Sequence, residues 1–293
     1  MTPRERGEEA APRGTPPASR DSERQALLSL GYAAYGALGL ALLPPGLLVA
    51  AAGAAVRPRW RFGFFERLGR LPEGLERVRE RPVRVWVHCA SIGEVRAAHP
   101  LLAAIARTRP DVGLLVTTTT PEGHRTARAL GVAQAVGMLP ADVPGLPGRL
   151  FDAIEPDALV LLETELWPGL LRAARSRFVP ALVVNGRISA RSFSRYRLAK
   201  PLLAPVLDGV AAFAMQAEVD RERILALGAD PSRVETQGNL KYDALALPQP
   251  SPPPVFVSLS TERVWVAGST HEGEESAVAD AYLRKFAQYI PKG

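Results

Sequence analysis

The sequence predicts an α/β fold, a parallel sheet covered by helices, with one long apolar helix ahead of it. Three observations carry this expectation. From residue 83 onward, short apolar runs alternate with stretches of helical period; no charged residue occurs from Gln25 to Val56; and residues 244–263 are rich in proline. Strand–helix alternation at this spacing marks a parallel sheet buried on both faces. With 293 residues, 47% of them hydrophobic, the chain has room for one large domain or two smaller ones.

Residues 1–24 mix Pro, Arg and Glu and lack the apolar surface that ordering requires, so they read as a disordered tail. The uncharged segment 25–56 exceeds the ~20 apolar residues needed to cross a bilayer. Pro44 and Pro45 are expected to kink or split it, which also permits an interfacial arrangement. A cleaved signal peptide is the rival reading, given "AAAGAA", but the acidic lead-in argues against it. Arg57, Arg59, Arg61, Arg67 and Arg70 follow the segment and favour a body on the cytoplasmic side. The segment reads as a membrane anchor.

Beyond it, 83–90, 113–119, 135–140, 158–163, 180–186 and 209–215 read as buried strands. The glycines closing "ALGV" and "ALGA" sit where a helix ends in the left-handed conformation. Residues 244–263 are the linker, and 264–293 hold one strand and one helix, only the opening of a second domain.

The net charge of +6 comes almost wholly from arginine. With aromatics at 6% and no zinc-finger or RRM signature, nucleic acid is not an expected partner; acidic head groups or phosphorylated substrates fit the charge. The single cysteine, Cys89, excludes an intrachain disulfide and reads as a small buried hydrophobe. No P-loop or G-x-G-x-x-G follows a strand, and no metal-ligand spacing is present, so neither cofactor nor metal is expected.

Ligands of an open parallel sheet bind beyond the carboxyl ends of its strands. Two acidic motifs fall there. In "HCASIGEV", Glu94 enters the first turn of a helix, where an ionised carboxylate is favoured. Ser91 precedes it, and Gly93 permits a tight turn and leaves room for a ligand. Glu94 is thus a candidate general base, and ordinary capping accounts for it equally well. In "LLETELWP", Glu163 and Glu165 close a strand; two apart, they face opposite sides if the chain stays extended, so at most one enters the cleft. Trp167 reads as packing. Thr119 of "TTTTPEGHR" offers a hydroxyl before a helix start. Arg187 and Arg191, with Arg195 and Arg197, suit phosphate groups, although a solvated basic face is the commoner case. Lys241 of "GNLKYDA" stands alone after a turn, and Ser269, Thr270, His271 and Glu274 form a strand-to-helix loop that could meet a nucleotide.

Taken together, "ERLGR", "HCASIGEVRAAHPLL", "TTTTPEGHRTA", "LLETELWPGLL", "NGRISARSFSRY", "GNLKYDA" and "AGSTHEGEE" resemble the 3-deoxy-D-manno-octulosonic acid (Kdo) transferases of lipopolysaccharide synthesis, lipid A-specific. The resemblance implies a GT-B glycosyltransferase of two Rossmann-like domains, membrane-anchored at the cytoplasmic face of the inner membrane. Its donor would be CMP-Kdo and its acceptor the lipid A precursor, lipid IVA, with no tightly bound metal. It further implies that 57–243 is the acceptor-binding domain and that 264–293 begins a truncated donor domain. Glu94 matches the family's proton acceptor, and Glu163 and Lys241 match positions that stabilise the transition state. Family members continue beyond "HEGEE", whereas "KFAQYIPKG" departs from their pattern, which gives a second expectation: a catalytically inactive, membrane-anchored acceptor-binding fragment.

Overall fold

In the computed structural model, residues 18–56, 61–163, 165–246, 267–268, 270 and 273–286 are described. The six apolar runs form β1 (Val83–His88), β2 (Val112–Thr118), β3 (Ala135–Met138), β4 (Ala158–Leu162), β5 (Ala181–Gly186) and β6 (Val210–Met215), all paired in parallel. A three-residue β7 (Val234–Thr236) joins the far edge, giving the order β3-β2-β1-β4-β5-β6-β7. Only Val234 of β7 is buried, so its residues carry no apolar run from which a strand can be read.

Alternating side chains split the core in two. Trp86, Leu115, Leu159, Leu161, Val183 and Phe213 point to one face. Val87, Cys89, Leu114, Val116 and Leu162 point to the other. That is the period-2 consequence of strands buried on both sides.

Helices α4 (Ile92–Thr108) and α5 (Pro121–Leu130) cover the second face, and α6 (Leu146–Ile154), α7 (Pro168–Ser176) and α10 (Glu218–Leu227) cover the first. Short helices α2 (Phe64–Arg67) and α3 (Leu75–Arg79) precede β1, and α8 (Ala190–Leu198) and α9 (Lys200–Leu207) link β5 to β6. Two helices end as the sequence suggests, with Gly131 (φ 66°) after α5 and Gly228 (φ 113°) after α10. Helix α6 has no counterpart among the expected elements because "LPG" at its start resembles a turn; proline is tolerated in a first helical turn.

The long helix α1 (Ala18–Val56) departs from expectation twice. It begins within the segment read as a tail, because residues 18–24 include good helix formers such as Ala, Arg and Glu. It also runs unbroken through Pro44 and Pro45. Both prolines are exposed, and the carbonyls they leave without helical donors belong to the exposed Leu40 and Ala41. Within α1, Ser29–Val49 is long and apolar enough to cross a membrane. The chain divides into two units, Met1–Leu247 and Pro248–Gly293. The boundary falls after α11 (Leu240–Ala246), so the first residues assigned to the linker, 244–246, are helical; 247–263 lie outside the described residues.

Candidate active site

Strands β1 and β4 are neighbours although β2 and β3 separate them in sequence, so the strand order reverses between them. A crevice opens beyond the carboxyl ends at such a reversal. The first acidic motif follows β1 and the second follows β4. The fold therefore brings together two stretches about seventy residues apart in the chain.

After β1 the chain turns at Ser91, which caps α4: its Oγ accepts from the Glu94 backbone N–H at 3.4 Å. Glu94 returns the contact, since Ser91 Oγ donates to Oε1 at 3.0 Å and the Ala90 N–H donates to Oε2 at 2.6 Å. The arrangement is a variant of the capping box in which the carboxylate takes the N–H of Ala90 and the hydroxyl of the N-cap Ser91, not the Ser91 N–H. The capping role of Glu94 is real, but it does not exhaust the residue. Glu94 is only 7% exposed. Burial pushes its carboxyl up to about 7; the negative charges of Glu165 and Glu163 add to the rise, and the Ala90 N–H and Ser91 hydroxyl moderate it. A carboxyl poised at neutral pH is suited to taking a proton and releasing it. His88, at the end of β1, is not a competing base. Complete burial drives it down to about 4, and its Nδ1 lies 3.0 Å from Thr117 Oγ1.

Gly93 lies inside α4 and not in the turn before it, which corrects the tight-turn reading. A Cβ there would meet only Ser91 Oγ, at 3.7 Å, so the surface beside Glu94 stays open.

Strand β4 ends at Leu162, and Glu163 takes a left-handed conformation (φ 55°) while its N–H donates to Val184 O at 2.9 Å. The alternation expected of Glu163 and Glu165 presupposes an extended chain, and Glu163 departs from it. The negative charges of both add to the rise of Glu94, Glu165 more strongly than Glu163. Glu165 is itself raised, first by burial. The "ETE" pattern contained it; continuing a strand past its end hid it. Trp167 packs on the first-face core, as expected.

Lys241 comes from α11, which packs on α4. Its Nζ lies 3.8 Å from Glu163 Oε1, with the lysine half exposed and the glutamate a quarter exposed. Asn239 Oδ1 accepts from Lys241 N, and Asn185 Oδ1 accepts from Leu240 N, each at 3.0 Å. Asn185 is 2% exposed and left-handed (φ 57°) at the end of β5. Sequence reading missed it; asparagine is one of the few side chains that tolerates this backbone. Its oxygen holds the start of α11 and thereby the lysine. Replacing Asn185 with Gly keeps the backbone and removes that acceptor. The expected results are a loss of about 1–3 kcal/mol and faster hydrogen exchange at the Leu240 amide, while Asn185→Asp keeps the amide protected. Unchanged exchange in the glycine variant would remove Asn185 from this role.

Thr119 commits both its N–H (3.1 Å) and its hydroxyl (2.7 Å) to Ala90 O, while Arg67 donates to its carbonyl. It holds the Ser91 turn in place; the expected substrate contact is not needed to explain it. Arg187 and Arg191 are exposed, in the β5–α8 loop and on α8. Ser269 and His271 lie outside the described residues. Thr270 and Glu274 belong to the second unit, with Glu274 in the first turn of α12 (Glu274–Phe286). Among the described residues, no group of three or more His, Cys, Asp or Glu could hold a metal.

The family profile for 3-deoxy-D-manno-octulosonic-acid transferase (kdotransferase) matches residues 62–244, which contain every element of this cluster. The chain belongs to the Kdo transferase family. A Kdo transferase from Haemophilus influenzae is 30% identical over 217 residues, covering 71% of this chain and 50% of that protein. One from Bordetella pertussis is 35% identical over 210 residues, covering 67% and 47%. A bifunctional glycosyltransferase/methyltransferase from Fusobacterium nucleatum is 35% identical over 211 residues, 68% of this chain and 32% of that protein. The chain thus spans about half the length of the curated Kdo transferases it matches. Among solved structures, a UDP-N-acetylglucosamine 2-epimerase aligns with a TM-score of 0.45 at 14% identity, over 59% of this chain and 53% of that one.

Proposed function

We propose that this chain carries the acceptor-binding half of a GT-B glycosyltransferase that moves Kdo from CMP-Kdo onto lipid IVA. What supports this is that Glu94 follows β1 and Glu163, paired with Lys241, follows β4, the two strands at the order reversal, in a member of this family.

The Glu94 carboxylate takes the proton from a sugar hydroxyl of the acceptor. The freed oxygen bonds to the anomeric carbon of Kdo, and the bond from that carbon to the CMP phosphate breaks, CMP leaving with the electron pair. The Lys241 ammonium, held by Glu163, offsets the negative charge that develops. Arg187 and Arg191 lie where acceptor phosphates can be met. Helix α1 supplies the attachment to the inner membrane, with the body on the cytoplasmic side. Thr270 and Glu274, with Ser269 and His271, would belong to the donor side.

The test is transfer of Kdo from CMP-Kdo, generated in situ, to lipid IVA. It is run with this chain alone and with the chain joined to the C-terminal half of a relative. Transfer in either form is the expected result. Acceptor binding without transfer in both forms would leave only the inactive acceptor-binding reading.

A further inference from the structure

Helix α1 is clamped to the body between Tyr32 and Gly39. The Arg172 guanidinium lies 5.4 Å over the Tyr32 ring, and the Tyr35 hydroxyl donates to Asp142 Oδ2 at 2.8 Å. Gly36 and Gly39 permit close approach: a Cβ would stand 2.9 Å from Pro144 Cγ at the first and 3.1 Å from Val143 Cγ1 at the second. Further along, helix and body part, leaving a groove of about 420 Å³ between Leu42, Gly46 and Leu47 on α1 and Phe64, Leu68 and Trp167 on the body. A Cβ on Gly46 would meet nothing within 4 Å.

We propose that this groove seats one acyl chain of the glycolipid acceptor. The proposal rests on the acceptor-binding reading above and names the part of the acceptor that reading leaves open. Two observations select the occupant. First, α1 carries no charge from Gln25 to Val56, and Leu30, Leu40, Leu48 and Val49 lie exposed on it, so hydrocarbon is the medium this helix suits. The groove opens along that helix and is lined by apolar side chains. Of its two charged residues, Asp142 is already engaged by Tyr35 and the Gly169 and Leu170 N–H groups.

Second, two residues of the groove are tied to the segments that carry the candidate site. The groove's other charged residue, Arg67, donates to Thr119 O, and Thr119 is bonded to Ala90, whose N–H holds Glu94. Trp167, in the same body wall, stands two residues after Glu165. A chain lying in the groove sets its head group beside the Arg67 guanidinium, which receives a lipid phosphate or ester well.

Bromine on an acyl chain quenches a tryptophan it touches, which makes Trp167 the reporter. The probe is lipid IVA with brominated acyl chains, added to the full chain in detergent. Trp167→Phe defines the background from the other three tryptophans. Quenching of Trp167 is expected, and Gly46→Phe, which places a ring at a position whose Cβ meets nothing within 4 Å, should raise the concentration for half-quenching by about tenfold, the equivalent of about two methylenes losing their burial. Leu42→Phe narrows the groove from a second position and should act in the same direction. Quenching that both variants leave unchanged would overturn the proposal. Equal quenching by a brominated phospholipid of the same chain length would assign the groove to bulk lipid and overturn its assignment to the acceptor. The readout needs no turnover. Quenching without transfer would sink the catalytic reading alone, and transfer that Gly46→Phe leaves intact, without quenching, would sink the groove alone.

Discussion

Replacing Glu94 with Gln is expected to cut Kdo transfer by about 10²–10⁴-fold, the usual contribution of a positioned base. At pH 8 it should leave the protein more stable. The two effects share one cause. Burial raises the Glu94 carboxyl to about 7, above the ordinary glutamate value, so the folded protein holds a proton that the unfolded chain releases from about pH 4.5 upward. Where the folded state binds more protons, stability falls as pH rises, here across the window from about 4.5 to about 7. A neutral glutamine escapes that loss and still accepts from the Ala90 N–H. A gain of about 1–2 kcal/mol at pH 8 follows after allowing for solvent screening, shrinking toward zero near pH 4. Transfer by the unaltered protein should rise with pH through about 7, as the carboxylate forms, and the glutamine variant should lack that rise. Urea melts at the two pH values and a pH–rate profile measure both. A glutamine variant less stable at pH 8 would mean that capping is the whole role of Glu94.

Removing the ammonium of Lys241 is expected to cost about 10²–10³-fold in transfer and less than about 0.5 kcal/mol in stability. The lysine is half exposed and 3.8 Å from Glu163 Oε1. Exposed pairs at such distances contribute little to folding because water screens them. In the proposed reaction, charge that develops as the leaving group departs is another matter, since a cation fixed beforehand need not reorganise. Glu163→Gln should reduce transfer by a smaller factor, by releasing the lysine. The double variant should be no worse than Lys241→Ala alone, because groups acting as one unit are not additive. The product of the two single losses in the double variant would show that Glu163 acts independently of Lys241.

The sheet was legible in the sequence because its strands are buried on both faces and so appear as continuous apolar runs. The cluster was legible in part. Glu94, Glu163 and Lys241 stand at element boundaries that local pattern can find, and the family resemblance assigned their roles. What stayed hidden depends on departures from local rules or on distant partners. Glu163 leaves the extended conformation, so alternation no longer fixes the side to which Glu165 points, and the sequence pattern cannot foresee that. Asn185 matters through a bond to Leu240, 55 residues away. Strand β7 exists because an edge was available to it. Helix α1 stays whole at Pro44 and Pro45 where helix rules expect a break, since the exposed surface there leaves no buried carbonyl stranded.

The left-handed backbone at Glu163 sets two selective pressures against each other. Glycine would relieve strain of order 1–3 kcal/mol at that position, yet only an acid can hold Lys241. Variants chosen for heat resistance should therefore drift toward glycine at 163, gaining robustness while falling silent as transferases. In a gene no longer under selection for transfer, the same exchange would be an early mark of decay, visible in the sequence while the fold stays sound.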